Sequence, residues 1–341
     1  MNLKELSAQL GLSQTTVSRA LNGFPEVSEK TRARVRSAAE LHGYRPSAAA
    51  RRLATGQSGT LGLVFPGERN MLGDLLFTEF LGGCVSKASE LNYDITLAMA
   101  HGSQSEEAVY RRAVRNARVD AMILSSPLIS DPRTALLRQL GMPFIVHGRT
   151  QSAEPYGYLD IDNEGAFFSA AKLLGDLGHI RIALLNGETH YNFAAERERG
   201  FRRALRERGI RIDDHFICAA PMVEQSGFTQ AQRLLALPVA QRPTGFVCSS
   251  IGQATGVKRA CAAYGLRIGK DIALIAHDDR IHDMGAETFD PPLTATQSPI
   301  GEAGRRLVEL CVDMLHQPND PLPAEIWPAD LVVRQSTMPA P

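Results

Sequence analysis

No apolar run in the 341-residue chain approaches the roughly 18 residues that cross a bilayer, so no membrane-spanning helix is expected. Close cysteine pairs are missing as well. The five cysteines, Cys84, Cys218, Cys248, Cys261 and Cys311, are odd in number and scattered, which argues against a zinc site or a disulfide framework and fits a reducing cytoplasm. There is no GxSxG elbow, no GxGxxG fingerprint and no complete P-loop. The stretch Gly265 to Asp271 has a Gly-Lys pair but neither the spacing nor the following Ser/Thr. An enzyme, a cofactor and nucleotide chemistry therefore lack support. No heptad tail follows Arg334, so a coiled-coil tetramer is not expected and a dimer is the economical assembly. The first residues form a polar amphipathic pattern rather than a secretory signal, which again points to the cytoplasm.

Neither charge sign is in excess, with 37 Lys and Arg against 37 Asp and Glu, but the balance is uneven along the chain. Residues 1–57 carry a net +5 and the remainder a net −5. A small basic head on a mildly acidic body implies that only the head meets phosphate, since a protein that coats nucleic acid would be basic throughout.

The head is punctuated at every turn. Asn2 can cap a helix with Leu3, Leu6 and Leu10 on one face, Glu5 completes a capping-box pattern, and Gly11 ends it. Ser13 caps a second helix whose Val17, Ala20 and Leu21 face inward while Gln14, Thr15, Ser18, Arg19 and Asn22 stay polar. Ser28 caps a third, with Val35, Ala38, Ala39 and Leu41 inside. This is a helix-turn-helix. Laid in a major groove, the polar start of the second helix brings Gln and Arg types to base edges, where such side chains pair with adenine and guanine. The same residues would also serve as the solvated face of an ordinary amphipathic helix.

Three stretches carry a resemblance. They are Leu3-Lys4-Glu5-Leu6 through Gly11-Leu12-Ser13-Gln14-Thr15-Thr16-Val17-Ser18-Arg19-Ala20-Leu21-Asn22-Gly23, then Val27-Ser28-Glu29-Lys30-Thr31-Arg32, then Gly43-Tyr44-Arg45-Pro46. Together they closely resemble the headpiece of LacI/GalR-type bacterial transcriptional regulators, within which the sugar or α-glucoside branch fits best. The resemblance implies that Gln14 and Thr15 set specificity, that Ser18, Arg19 and Asn22 complete the groove contacts with Lys4 nearby, and that Ser28, Thr31 and Tyr44 bind phosphates. Residues 47–59 would be the hinge helix and linker. The helix Ser47 to Ala54 is too short to persist in water without a partner. In the resembled family it folds against its dimer mate in the minor groove, with Ala50 in the hinge and Leu53 wedging between base steps. A flexible basic linker is the plainer reading.

Beyond Thr60, short apolar runs alternate with amphipathic stretches, which implies parallel sheets wrapped by helices. Expected strands are Thr60 to Phe65, Tyr93 to Met99, Ala121 to Ser125, Phe144 to His147, Tyr158 to Ile161, Ile182 to Asn186, Phe216 to Ala219, Gly245 to Ser249 and Ile272 to His277. Expected helices include Phe77 to Leu91, Glu106 to Ala117, Asn163 to Leu177, Ala194 to Arg208 and Gln253 to Tyr264. Two α/β units fit better than one oversized sheet. The runs Leu177 to Leu185, Arg197 with Gly200-Phe201, Asp278-Asp279, Pro291 to Thr294 and Asp330 to Ser336 resemble the regulatory core of the same regulators, which is similar to a periplasmic sugar-binding protein. The expected fold is thus an all-α headpiece at 1–46 and an α/β core of two Rossmann-like subdomains at 60–337. The first subdomain would take about 60–160 plus 292–322, the second 161–291 plus 323–337.

A cleft between two parallel sheets is the natural pocket, because ligands bind beyond strand C-termini. The resemblance implies that Asp278 and Arg197 contact the effector, a pair able to accept from and donate to vicinal hydroxyls. Phe77 would wall a sugar ring, with His147 and Arg149 as further candidates. Each has a plainer reading: Arg197 as part of a mixed-charge helix face, Phe77 as core, Asp278 or Asp279 as a turn former, and His179 as a structural histidine. The chain departs from the family at Ser250-Ile251, where Asn-Asp is usual, so Ser250 would replace the asparagine only in part. His277-Asp278-Asp279 with His282 has metal-ligand residue types but no second cluster beside it. The expected function is a DNA-binding regulator, most simply a repressor of a carbohydrate-utilisation operon. Its partners would be double-stranded operator DNA, a sugar effector and a second copy of the chain, with no membrane and no metal. A sugar-binding module without a DNA role and a metal-dependent hydrolase are the competing readings.

Overall fold

The computed structural model describes residues 1–44, 57–66, 74–100, 105–116 and 118–341. Three helices make the head: α1 (Leu3–Leu10), α2 (Gln14–Leu21) and α3 (Glu29–Leu41). The capping box closes as its sequence implies, with Glu5 N–H donating to Asn2 Oδ1 at 3.0 Å and Asn2 N–H donating to Glu5 at 3.0 Å. Gly11 takes the left-handed φ of 62° that reverses the chain, and Ser13 and Ser28 cap α2 and α3 through Thr16 N–H and Thr31 N–H. Leu6, Leu10, Val17, Ala20, Val27, Val35 and Ala39 form a small closed core. Leu41 is the exception, since it is 80 % exposed at the last turn of α3 and not inside as its periodicity suggested. Tyr44, just beyond, packs against the core in its stead.

The core holds two six-stranded sheets. The first is built from β1 (Thr60–Pro66), β2 (Asp94–Ala100), β3 (Ala121–Ser125), β4 (Phe144–His147), β5 (Gly157–Ile161) and β11 (Ala324–Trp327), all parallel, in the order β11-β5-β4-β3-β1-β2. The second comprises β6 (Ile182–Asn186), β7 (Ile217–Ala219), β8 (Gly245–Cys248), β9 (Ala273–Asp278), β10 (Thr294–Gln297) and β12 (Asp330–Val332), in the order β12-β10-β9-β8-β6-β7. Only β12 runs antiparallel to its neighbour. All nine strands expected from the sequence are present, and β10, β11 and β12 are additional. They move the subdomain boundaries. The expected crossings near 292 and 323 give way to crossings at 298–299 and 328–329, because β10 pairs with β9 in the second sheet and β11 with β5 in the first. The first crossing follows Ile161, which is still in β5.

Period-two alternation decides which helices cover which face. In the first sheet Leu61, Leu63 and Phe65 point at α4 (Leu75–Glu90) and α11 (Ile300–His316), while Val64 points at α5 (Glu106–Arg115) and α6 (Pro132–Gln139). In the second, Ile182 and Leu184 meet α7 (Asn163–Asp176) and α8 (Asn192–Glu207), whereas Ala183 and Leu185 meet α9 (Glu224–Leu235) and α10 (Ile251–Ala263). All five cysteines are buried and unpaired. Burial pushes their thiols up, Cys261 and Cys311 to about 12, so they pack as small apolar groups. No helix among the described residues is long and apolar enough to cross a membrane.

Three helix pairs touch backbone to backbone through glycine. A methyl group at Gly83 would land on the carbonyl of Gly301, one at Gly200 on that of Glu164, and one at Gly256 on that of Glu224. Alanine has the better helix propensity, yet no room exists for it here. We expect Gly200→Ala to cost about 1–3 kcal/mol through overpacking and to lower the melting temperature by several degrees. A melting curve as high as that of the parent would show that α7 and α8 separate without cost.

Candidate effector cleft and DNA-reading helix

The strand ends that converge between the lobes enclose a cavity of about 750 Å³ and, sharing His147, Phe193, Met222 and Asp279 with it, a smaller chamber of about 120 Å³. The larger lies beyond the C-terminal ends of β3 and β4 in the first lobe and of β6, β8 and β9 in the second, the smaller beyond those of β3, β4, β5 and β9. In each sheet this is where strand order reverses, between β1 and β3 and between β6 and β8, and diverging loops leave a crevice.

Arg197 is the most constrained group in the cleft. It sits in α8, is only 4 % exposed, and donates from Nε to Asn163 Oδ1 at 2.8 Å and from Nη1 to the Ser249 carbonyl at 2.9 Å. Its guanidinium is sandwiched between the rings of Phe167 and Phe193, 4.9 and 5.0 Å from their centroids. No carboxylate among the described residues bonds to it. Burial lowers its pKa to about 10, while the charges of Asp279, Asp160 and Glu196 act in the opposite direction, so it remains a cation at neutral pH. The plainer sequence reading, a solvated mixed-charge helix face, therefore fails for Arg197 and holds for its neighbour Arg199, which is 55 % exposed.

The aspartates divide the labour differently from expectation. Asp278 borders the cavity, but both of its carboxylate oxygens are committed: Oδ1 accepts from Arg280 N–H at 2.8 Å, and Oδ2 from Ala286 N–H and Gln297 Nε2, both at 3.0 Å. It ties down the loop after β9. Asp279 instead borders both chambers; against burial, which raises it, the charge and hydrogen bond of His277 and the charge of Arg197 hold its carboxyl below the usual range. Asp279, which sequence reading placed in the core resemblance and treated as a turn former and a metal-ligand type, lines the same small chamber as Arg197. Ser250 also borders the cavity, but its hydroxyl donates to the Met222 carbonyl at 2.9 Å and accepts from Gln253 N–H at 3.1 Å as the cap of α10. Its proton is unavailable to a ligand.

His147 ends β4, stacks on Phe80 at 4.6 Å and borders both chambers. Burial lowers its pKa, which keeps it neutral at pH 7. Phe77 is 6 % exposed and leans on Phe65, so it is chiefly core with one edge in the cleft wall. The more open aromatic surface is Tyr191 with Phe193, stacked at 5.7 Å at the start of α8. Neither was singled out from the sequence, although an aromatic pair just before an amphipathic helix was the available signal. Also missed were Asn186, Ser249 and Gln253. Ser249 Oγ donates to Asn186 Oδ1, Ser249 N–H to Gln253 Oε1, and Gln253 Nε2 to the Asn186 carbonyl, so the ends of β6 and β8 are locked together.

Arg149 lies in the smaller chamber and spans the lobes. Its Nε donates to Asp160 of β5 at 2.7 Å and its Nη2 to Glu196 of α8 at 3.0 Å. These partners leave it a bridge more than a ligand donor. His277 bonds Thr296 through Nδ1 and Ser298 through Nε2, with Asp279 at 3.3 Å from that same Nε2. Serine and aspartate on one nitrogen do not make a proton relay, which needs them on opposite ones. No group of three metal-ligating side chains gathers among the described residues. His179 is fully buried between Thr244 Oγ1 and the Met338 carbonyl.

In the head, Gln14, Thr15 and Arg19 are exposed along the start and outer face of α2, and Ser18 and Asn22 are half-buried, joined by Asn22 Nδ2 donating to the Ser18 carbonyl. Lys4 and Ser28 are exposed, and Thr31 and Tyr44 half-buried. Ala50 and Leu53, with the expected hinge helix Ser47 to Ala54, lie outside the described residues.

A helix-turn-helix head on a two-lobed core with a polar interlobe cleft defines a ligand-responsive DNA-binding protein. Residues 2–47 match the model for bacterial regulatory proteins of the lacI family, and residues 171–337 match that for a periplasmic binding protein-like domain. The HTH-type transcriptional regulator AglR of Rhizobium meliloti (strain 1021) is 44 % identical over 342 residues, covering 100 % of this chain and 95 % of that protein. The chain belongs to the lacI family of transcriptional regulators, DNA-binding proteins with an effector-binding core and no enzymatic activity. Among solved structures, the lac repressor dimer bound to operator and the anti-inducer ONPF superposes with a TM-score of 0.80 at 25 % identity over 99 % of both chains. The CelR–cellobiose complex does so with 0.72 at 26 % over 99 % of this chain and 100 % of the other.

The Arg149 bridge carries a pH dependence. Burial first, and the nearby Asp160 charge next, raise the pKa of Glu196, so folding favours its protonated form. A raised carboxyl stabilises most below its unfolded pKa and loses that contribution as pH rises through the folded one. In Arg149→Met, Glu196 and Asp160 lose their shared cation and the shift grows. The variant should therefore lose more stability at pH 8 than at pH 5 in parallel denaturant titrations. An equal loss at both would mean that the bridge does not hold these carboxylates ionised.

Proposed function

We propose that the chain represses a carbohydrate-utilisation operon as a homodimer, and that a sugar in the interlobe cleft sets its operator affinity. The observation that carries the sugar reading is that Arg197, Asp279 and the Phe193 ring line one small chamber, with Tyr191 on the wall of the larger cavity beside Phe193. A cation that donates and a carboxylate that accepts suit vicinal hydroxyls, and aromatic faces suit the C–H side of a sugar ring. The CelR complex, with cellobiose bound, is consistent with a sugar in this fold.

On the DNA side, Gln14 and Thr15 would read bases, with Ser18, Arg19 and Asn22 completing the groove contacts. Lys4, Ser28, Thr31 and Tyr44 would meet phosphates, and Ala50 and Leu53 would act from the paired hinge segments. Two heads would then address half-sites about one helical turn apart. Ligand shifts operator affinity only through its different affinity for the two lobe arrangements.

Arg19→Ala should weaken specific operator binding by roughly 5- to 150-fold in mobility-shift titrations, the worth of one good base pair contact. The parent's affinity should fall steeply with salt. A flat salt response, or an unaltered variant, would refute the docking. Separately, Asp279→Ala and Arg197→Met should abolish a sugar-induced rise in melting temperature while operator binding persists. A full shift in both variants would move the ligand elsewhere.

A further inference from the structure

The chain enters the first lobe through a turn that one carboxylate holds. Asp120, half-buried just ahead of β3, accepts on both oxygens. Its Oδ1 takes Ser58 N–H at 2.6 Å and the Ser58 hydroxyl at 3.0 Å, and its Oδ2 takes Gly59 N–H at 2.7 Å and Thr60 N–H at 3.4 Å. Gly59 is buried in a left-handed conformation with φ 67°, which turns successive N–H groups toward one anion.

The carboxylate reaches further along the chain than the sheet does. Thr60 is fixed by strand pairing, its carbonyl accepting from Asp120 N–H at 2.8 Å, and the Gly59 carbonyl accepts from Asp94 N–H at 2.8 Å. The N–H groups of Ser58 and Gly59 bond only to the Asp120 side chain among the described residues. Strand β1 would therefore start at Thr60 without that side chain. What Asp120 adds is order in the two residues before it, where the linker assigned to 47–59 ends. From Asp120, β3 runs directly to Ser125 on the cavity wall, so this anchor and the cleft belong to one sheet.

Resting on the hinge reading above, we propose that Asp120 is a positioning residue for operator binding, fixing the direction in which each chain leaves its first lobe toward the hinge. Seating the second head of a dimer on a duplex already held by the first is an intramolecular step, and its effective concentration falls as the tether gains free residues. Releasing Ser58 and Gly59 puts slack into both tethers and alters none of the residues assigned to DNA contact. Slack also absorbs a lobe rotation in the turn, so that less of it is passed to the hinge.

The test uses the full chain and a duplex selected by the parent protein from a genomic library, titrated well below each variant's melting temperature. Asp120→Ala should weaken binding about tenfold or more. Asp120→Asn has the same shape but turns an amide nitrogen toward an N–H donor, and should weaken it at least about fivefold. Amide exchange should quicken at Ser58 and Gly59 while Leu61 and Leu63 keep their protection. In a Leu53→Ala background, where the hinge no longer wedges, the cost of Asp120→Ala should shrink to about threefold or less, which a general loss of stability would not produce. Affinity within about twofold of the parent, with Ser58 and Gly59 exchanging freely, would overturn the inference, and so would an equal cost with and without Leu53. If the alanine variant does not melt cooperatively, the asparagine variant decides by the same criteria. An unaltered Leu53→Ala would overturn the hinge reading itself, and this inference with it.

Discussion

A guanidinium buried with no carboxylate among the described residues bonded to it is the constraint around which the effector core is arranged. Taking such a cation out of water costs several kcal/mol unless polar neighbours replace the lost hydration. Arg197 finds a side-chain amide, a main-chain carbonyl and two aromatic faces, supplied by α7, the end of β8 and the start of α8. Those elements meet only if the second lobe is fully folded. The compensating negative charges, Asp279, Asp160 and Glu196, stand back from it, two in the second lobe and one in the first. Among the described residues, the guanidinium groups of the cleft, Arg149 and Arg197, therefore sit in the smaller chamber, with Asp160 and Asp279 beside them.

The chain passes between the lobes three times, after β5, after β10 and after β11. Three short parallel connections resist sliding of one sheet past the other and leave rotation about the connections as the soft motion. Arg149 lies beside this axis with one carboxylate partner from each lobe. A small rotation there changes two charge-assisted hydrogen bonds at once, while the sheets, each covered by helices at glycine contacts, stay rigid.

The architecture was largely legible in the sequence because its signals are local. Capping residues, the Gly11 reversal and alternating apolar runs placed three head helices and nine strands. The three strands that escaped are those whose identity is not local. Thr294–Gln297 is polar by composition and is strand only because β9 and β12 flank it, while Ala324–Trp327 and Asp330–Val332 are short, edge-positioned and separated by Pro328. Their absence shifted the lobe boundaries by a few residues. In the cleft, residue types were legible and commitments were not. Nothing in His277-Asp278-Asp279 states which carboxylate will be consumed by the loop that follows, since that depends on Ala286 and Gln297 arriving from further along the chain. Likewise Ser250 was recognisable at the pocket, but Met222 claims its proton from a segment 28 residues away.

The order of crossings has one more consequence. Each lobe takes its last strand from residues 324–332, β11 for the first and β12 for the second, so neither lobe is a continuous stretch of polypeptide. The head, by contrast, is a single uninterrupted segment with its own closed core. One recombination breakpoint suffices to exchange the head, whereas exchanging a lobe requires several breakpoints and a rebuilt edge strand. Which promoter is addressed and which metabolite is sensed can therefore be inherited separately, but the two halves of the sensor must be inherited together.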